Sequence, residues 1–356
     1  MTTPADIAAG FQLPRPVLDV RRFGSGHVND TYAVTTGSGR FLLQRINTRA
    51  FAHPDQVMHN IVTVTAHLGA TVTDPRRALH LIPTVDGGWW HVDDAGGWWR
   101  MYAFIEGSAE LEAPVSPAEM RRVGAGLGAF LVQLDTLPAD RLFTTIPAFH
   151  DEPRYVARLR AAVAADPCGR AAGVADEIAH ALAYETASHD FDDPALMPLR
   201  VTHNDAKVAN VLVDAATGEP LCVVDLDTVQ PGLAVNDVGD AIRSGAASAA
   251  EDDPDLAHVR FVPELFEAFL TGYLGACGAV LAPGELAHLR HGVRMMTLET
   301  SLRFLTDHIE GDVYYRIDRA GHNLDRARNQ LALLDDIQAH WDWMGGVIAR
   351  LTDAAR

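Results

Sequence analysis

The chain has 356 residues, 48% hydrophobic and 21% charged, with a formal net charge of −18. At roughly 100–200 residues per domain, that length accommodates two units around a cleft, and an acidic balance without a basic run excludes a nucleic-acid backbone binder and repels anionic membranes. Cys168, Cys222 and Cys277 are far apart and lack metal-ligand spacing, no apolar run reaches the roughly 18–20 residues of a membrane span, and the N-terminus has no basic flank ahead of an apolar stretch, so the expected setting is a reducing cytoplasm.

Residues 17–23 and 31–36 are β-prone runs around a glycine-bearing turn. Gly37-Ser38-Gly39 separates the second run from residues 41–46, which predicts a hairpin. Pro54 opens a helical pattern through residue 68, with Val57, Ile61, Val64 and Leu68 at helical spacing. Residues 81–85, 89–92 and 98–105 follow as a meander, and the pairs Trp89-Trp90 and Trp98-Trp99 suit cross-strand packing. Beyond Glu106-Gly107 the pattern turns helical. Ser116-Pro117-Ala118-Glu119 combines a capping-box serine, proline at the first helical position and glutamate three residues on. Further helices are predicted over 154–165, 174–186, 263–276, 285–308 and 324–348. One β-rich interruption spans 199–224, with apolar runs at 211–213 and 221–224 joined by a turn. The expectation is an α+β chain of two lobes: residues 1–105 form a β-rich nucleotide-binding lobe, and residues 106–356 form a mainly helical lobe carrying the catalytic hairpin and the substrate site.

That hairpin reads His203-Asn204-Asp205-Ala206-Lys207-Val208-Ala209-Asn210, and its second strand ends in Val224-Asp225-Leu226-Asp227. Phosphoryl transfer needs a carboxylate to orient the attacking hydroxyl, a divalent metal to bridge phosphate oxygens and a cation to offset charge. Asp205 suits the first task. Asn210 and Asp225 offer the oxygen ligands that Mg²⁺ prefers, and Lys207 lies between them. An isolated H-x-D carries little information, but asparagine at plus five and aspartate after a second strand carry much more. The run resembles the protein-kinase catalytic loop H-R-D-x-K-x-x-N. Asp225 stands where the DFG aspartate would be, and Leu-Asp replaces Phe-Gly, as in the aminoglycoside phosphotransferase and choline kinase superfamily. The resemblance implies a protein-kinase-like fold, ATP as donor, Asp205 as base, Asn210 and Asp225 as Mg²⁺ ligands, and a structural role for His203.

Gly24-Ser25-Gly26-His27-Val28-Asn29-Asp30 is a turn whose backbone N–H groups can approach phosphates, with Asn29 in place of the third kinase glycine. Gln44 stands where the strand-three lysine of protein kinases is expected, Arg45 is next, and the helical pattern 54–68 contains no glutamate. The phosphate cation is therefore open between Arg45, Lys207 and the metal. The expected nucleotide contacts are Gly24, Ser25, Gly26, His27, Asn29, Gln44 and Arg45, with Tyr102 and Phe104 beside the adenine.

The motifs from Gly24 through Tyr32, Leu43 through Asn47, Ile146-Pro147-Ala148-Phe149-His150-Asp151, Asp237 through Arg243, and Arg303 through Tyr315 are similar to the N-acetylhexosamine 1-kinase family. That resemblance implies phosphorylation of the anomeric hydroxyl of N-acetylglucosamine or N-acetylgalactosamine with ATP and Mg²⁺. Asp30, Asp227, Arg243, Arg303 and Tyr314 are the candidate substrate contacts, and Asp237 and Asp240 are expected to brace the catalytic loop. Another sugar, an aminoglycoside or a choline-like alcohol is the alternative acceptor, and a non-catalytic nucleotide-binding kinase fold is the rival from another class. The expected partners are ATP and a small amino sugar, without nucleic acid or membrane, in a monomer or homodimer.

Overall fold

The computed structural model describes residues 2–24, 28–111, 115–185 and 195–355. The short helix α1 (Pro4–Ala8), capped by Thr3, precedes β1 (Val17–Arg22), β2 (Asp30–Thr36) and β3 (Gly39–Arg45). Helix α2 (Pro54–Thr71), β4 (His91–Val92) and β5 (Trp98–Ala103) complete the N-terminal lobe. The strands form one antiparallel sheet in the order β1-β2-β3-β5-β4.

Side chains alternate between the faces of a strand, and that alternation divides this sheet. On the outer face Leu43, Trp99 and Met101 pack with Ile7 and Phe11. On the inner face Gln44 sits opposite Arg100 and Leu42 opposite Tyr102. The inner side is closed by α2, which buries Val57, Met58, Ile61, Val64 and Leu68. Residues 81–85, expected as a strand, contribute only isolated bridges, Leu81 to Tyr102 and Phe11 to Thr84. Trp90 stacks on Trp98 at 5.8 Å, and the buried Trp99 donates its indole N–H to Asp93 at 2.7 Å.

The C-terminal lobe begins with β6 (Ser108–Ala109) and α3 (Pro117–Leu134), whose Ser116 and Glu119 form the expected capping box. Then come α4 (Glu152–Ala165), α5 (Ala175–Ala183), β7 (Arg200–Thr202), β8 (Val211–Asp214), β9 (Pro220–Val223) and β10 (Gln230–Gly232). The helices α6 (Ala234–Gly245), α7 (Pro263–Cys277), α8 (Pro283–Glu310), α9 (His322–Ala339) and α10 (Trp341–Ala355) finish the chain. β6-β8-β9 and β7-β10 make two small sheets against the helices. No described helix is long and apolar enough to cross a membrane.

Two departures from the expected helices have tertiary causes. The single helix expected over 324–348 breaks at His340. There the imidazole turns back to the Asp336 carbonyl at 2.8 Å and packs on Phe261, while Trp341 receives the Arg290 guanidinium at 4.5 Å. No proline or glycine marks that break. The second departure is α6, which is not among the predicted helices, because its asparagine, two aspartates and two glycines are weak helix formers. Burial on nearly every side holds it as a helix. Its Gly239 is required by close approach to α8, since a Cβ there would strike the Gly292 carbonyl oxygen.

Candidate active site

The loop after β7 is held from beneath by side chains accepting from, or donating to, its backbone. The buried Asp237 near the start of α6 accepts the His203 and Asn204 N–H groups at 2.9 and 2.7 Å. Asn204 adopts a left-handed backbone (φ 61°), which asparagine tolerates better than most residues, and donates its amide to the carbonyls of Thr202, Thr228 and Gln230. Gly232 is needed opposite, because a Cβ there would strike Thr202 and Asn204. His203 Nδ1 accepts the Asp205 N–H at 3.2 Å and its Nε2 meets the Val224 carbonyl at 2.8 Å, which assigns the Nε2–H tautomer. His150 faces acceptors on both ring nitrogens, Glu299 at 3.0 Å and the Asn204 carbonyl at 3.0 Å. Burial opposes its charge, but the Glu299 carboxylate overcomes this and raises its pKa, so the pair is imidazolium and carboxylate.

Asp205 projects from this braced loop and pairs with the Lys207 ammonium at 2.7 Å. Burial pushes the Asp205 carboxyl upward, yet Lys207 holds it below the usual aspartate range. Burial likewise opposes the charge on Lys207, while Asp205 and then Asp240 raise its pKa. Asn210 donates its amide to the Asp205 carbonyl at 2.8 Å, which leaves the amide oxygen as an acceptor. The Val224 N–H donates to the Asn210 carbonyl at 2.9 Å, so the next residue, Asp225, stands beside Asn210. Asp225 has a left-handed backbone (φ 62°) and its carboxylate has no hydrogen-bond donor among the described residues. It is open to solvent at the cleft but ringed by protein elsewhere. That burial, then the charges of Asp227 and Asp205, push its pKa up to about 6. Among the described residues no three histidine, cysteine, aspartate or glutamate side chains form a metal cage. An amide oxygen beside an under-compensated carboxylate instead suits Mg²⁺, which is usually bound by one or two carboxylates plus substrate phosphates.

The N-lobe wall of the cleft is built differently. Arg100, 1% exposed at the centre of β5, places Nε and Nη2 on the Gln44 amide oxygen at 3.0 and 2.9 Å and forms an ion pair with Asp227. Gln44 donates its amide N–H to Thr31 Oγ1 at 3.1 Å. Asn29 donates to the other Asp227 oxygen and accepts the Asn47 N–H at 3.0 Å. Desolvation opposes the charge of Arg100, but Asp227 keeps its pKa raised. Asn60 of α2 ties the same wall to the C-lobe, donating to the carbonyls of Phe143 and Val229 at 2.8 and 2.9 Å and accepting the Phe143 N–H.

These placements separate the expected residues. Asp205, Lys207, Asn210 and Asp225 meet at one point of the cleft. Gln44 and Asn29 meet each other through Arg100 and Asp227. Tyr102 is buried on the inner face with its hydroxyl unpartnered, and Phe104 lies edge-on to Phe23 at 5.6 Å with the Arg40 guanidinium 3.9 Å over its ring. Gly24 has the positive φ (75°) of a turn glycine, while Ser25, Gly26 and His27 lie outside the described residues. Four of the expected residues have partners apart from that cluster. Arg45 alternates onto the sheet's outer face, beside Trp99 and Gly97, on the opposite face from Gln44. Asp30 is paired with Arg22 on the exposed strands. Asp227, 4% exposed, is consumed by Arg100 and Asn29. Arg243, also 4% exposed, is consumed by Asp240 and Glu251. Arg303 is framed by the Phe149, Tyr155 and Tyr315 rings and touches Glu299 at 3.4 Å, and Tyr314 is exposed at the rim. The sequence reading missed Arg100 and Asn60. A charged residue inside the run Trp98-Trp99-Arg100-Met101-Tyr102 was the available sign of a buried partner.

A family model described as "phosphotransferase enzyme family" matches residues 19–283. Among solved structures, the microcompartment-associated aminopropanol kinase is 17% identical with a TM-score of 0.62, covering 95% of this chain and 96% of its own. The Plasmodium vivax ethanolamine kinase is 13% identical with a TM-score of 0.55, covering 88% and 82%. The GDP complex of aminoglycoside 2'-phosphotransferase-IIIa is 13% identical with a TM-score of 0.56, covering 89% and 93%. At these identities the likeness is one of fold, an antiparallel N-lobe sheet with a helical C-lobe.

Proposed function

Because the chain belongs to the phosphotransferase enzyme family, we propose that its donor is ATP, its metal Mg²⁺ and its acceptor the anomeric hydroxyl of an N-acetylhexosamine. The observation that carries the catalytic part is the meeting of Asp205, Lys207, Asn210 and Asp225. Lys207 occupies Oδ1 of Asp205, and Oδ2, which has only a long 3.4 Å contact from the Asn210 amide, is the oxygen that would orient the acceptor hydroxyl and take its proton. Asn210 and Asp225 would hold Mg²⁺, whose role when bound is to neutralise charge on the β- and γ-phosphate oxygens. Positioning supplies most of the acceleration in such transfers, because the loose transition state asks little of the base.

The acceptor assignment is supported by the sequence motifs and by charge. A cationic aminoglycoside or choline needs free carboxylates. Around the catalytic loop Asp237, Asp240, Glu251 and Glu299 are each engaged, by backbone N–H groups, by Arg243 or by His150. The Arg303 guanidinium stands 5.8, 5.8 and 5.6 Å from the rings of Phe149, Tyr155 and Tyr315, and the charged His150 stacks on Phe149 at 3.9 Å. A neutral acetamido sugar suits that surface better than an ammonium does.

The test is acceptor-dependent ADP release with Mg-ATP across sugars, amino sugars, choline and aminoglycosides. Release with N-acetylglucosamine or N-acetylgalactosamine, and a phosphorus signal coupled to the anomeric proton, is the expected result. Release only with a cationic acceptor would discard the sugar assignment and keep the mechanism, and activity unaffected by chelation would remove the metal.

A further inference from the structure

Position 44 poses a problem for any kinase reading. The strand that should present a lysine presents an amide, and the helix that should present a glutamate presents Asn60, spent on backbone groups. The charge has moved one strand over. Gln44 and Arg100 are register partners on β3 and β5, and the Gln44 oxygen takes two N–H groups of the guanidinium. The bond from Gln44 to Thr31 fixes which end of the amide faces Arg100. The remaining arm of the guanidinium crosses to the C-lobe and meets Asp227.

Asp227 lies two residues after Asp225, in the single 3-10 turn Leu226–Thr228 that Asp225 opens. Anchoring Asp227 therefore fixes the turn from which the Asp225 carboxylate projects. Its second oxygen is held by Asn29, at the base of the glycine-bearing turn. Four stretches of chain, at 29–31, 44–47, 100 and 227, are joined around one buried guanidinium. A guanidinium fits this junction because its planar fork serves two acceptors at once, whereas an ammonium offers a point charge.

We infer that Arg100 is a positioning residue. It replaces the lysine–glutamate pair of protein kinases with a guanidinium–Asp227 pair, and so sets Asp225 against the N-lobe wall at Asn29 and Gln44. The inference rests on the kinase reading above and adds to it the residue that aligns the lobes. Arg100 is 1% exposed and its three nitrogens are turned to Gln44 and Asp227, so it acts through Asp227.

The experiment measures binding of ADP by calorimetry, with and without Mg²⁺, to the whole protein and to Arg100→Gln, Asp227→Asn, the double variant and Arg100→Lys, together with melting temperatures. Loss of an outer partner of a metal ligand typically weakens metal-dependent affinity by about tenfold to a hundredfold. That loss is expected for Mg-ADP in Arg100→Gln, with metal-free ADP affinity changed by less than about twofold. The double variant should bind Mg-ADP better than Arg100→Gln, since it leaves no unpaired carboxylate at 227. Arg100→Lys keeps the charge and should melt close to the unaltered protein while still binding Mg-ADP more weakly. Equal loss with and without metal would overturn the inference, as would an unchanged Mg-ADP affinity in both Arg100 variants. Failure of the unaltered protein to bind Mg-ADP would instead overturn the kinase reading and the inference with it.

Discussion

The two walls of the cleft are held by opposite means. The catalytic loop of the C-lobe is fixed by backbone groups: Asp237 takes two amide hydrogens, Asn204 caps three carbonyls, and His150 and His203 each hold one carbonyl. The N-lobe wall meets Asp227 through side chains, by one guanidinium shared between Gln44 and Asp227, with Asn60 reaching backbone groups beside it. Bracing of the backbone acts on groups that nearly every residue carries, so it survives many substitutions in the braced stretch. Side-chain bracing is drawn from distant stretches and depends on each partner's length and charge.

Four substitutions would break or sharpen that contrast. Asp205→Ala, on the braced loop, should lower turnover by about 10²–10⁴-fold while ADP binding by calorimetry stays unchanged. Gln44→Lys installs the residue of protein kinases, yet here it opposes an ammonium to the buried Arg100. Leaving a buried charge uncompensated costs about 3 kcal/mol or more, so urea unfolding should report a loss of that size rather than a gain in activity. Asp237→Ala strips two buried N–H groups of their acceptor, at about 1–3 kcal/mol for such a loss, and should lower the urea midpoint together with turnover. Arg45→Ala, one residue from Gln44 but on the outer face, should change stability by no more than about 0.5 kcal/mol and leave the KM for ATP unaltered. A large rise in that KM would return Arg45 to the phosphates.

The same contrast explains what could be read from the sequence. His203 through Asn210 with Asp225 is local, so its spacing carried the loop and the hairpin, and the glycine and proline punctuation carried β1 to β3, α2 and α3. The helix α6 escaped because its stability comes from burial rather than propensity, and the break at His340 escaped because Phe261 and Arg290 impose it from elsewhere in the chain. Arg45 is among the candidate cations in the sequence and Arg100 is not, for a simple reason. Adjacency in sequence suggested the first, whereas strand pairing, which a single sequence does not display, brought the second against Gln44. Asp227 pointed as an extended strand would suggest only up to the left-handed residue Asp225, after which the 3-10 turn swung it into the N-lobe.

The counter-ion of Arg100 also bears on how the chain acquires its structure. An N-terminal fragment ending near residue 105 would contain Arg100 in the middle of its own sheet, with the neutral Gln44 and without Asp227. A buried guanidinium lacking its carboxylate is strongly unfavourable, and the inner face of that sheet would be wet or rearranged. The sheet reaches its final packing only after residue 227 has been made and folded. The expected signature of that dependence is a single unfolding transition for both lobes, rather than two.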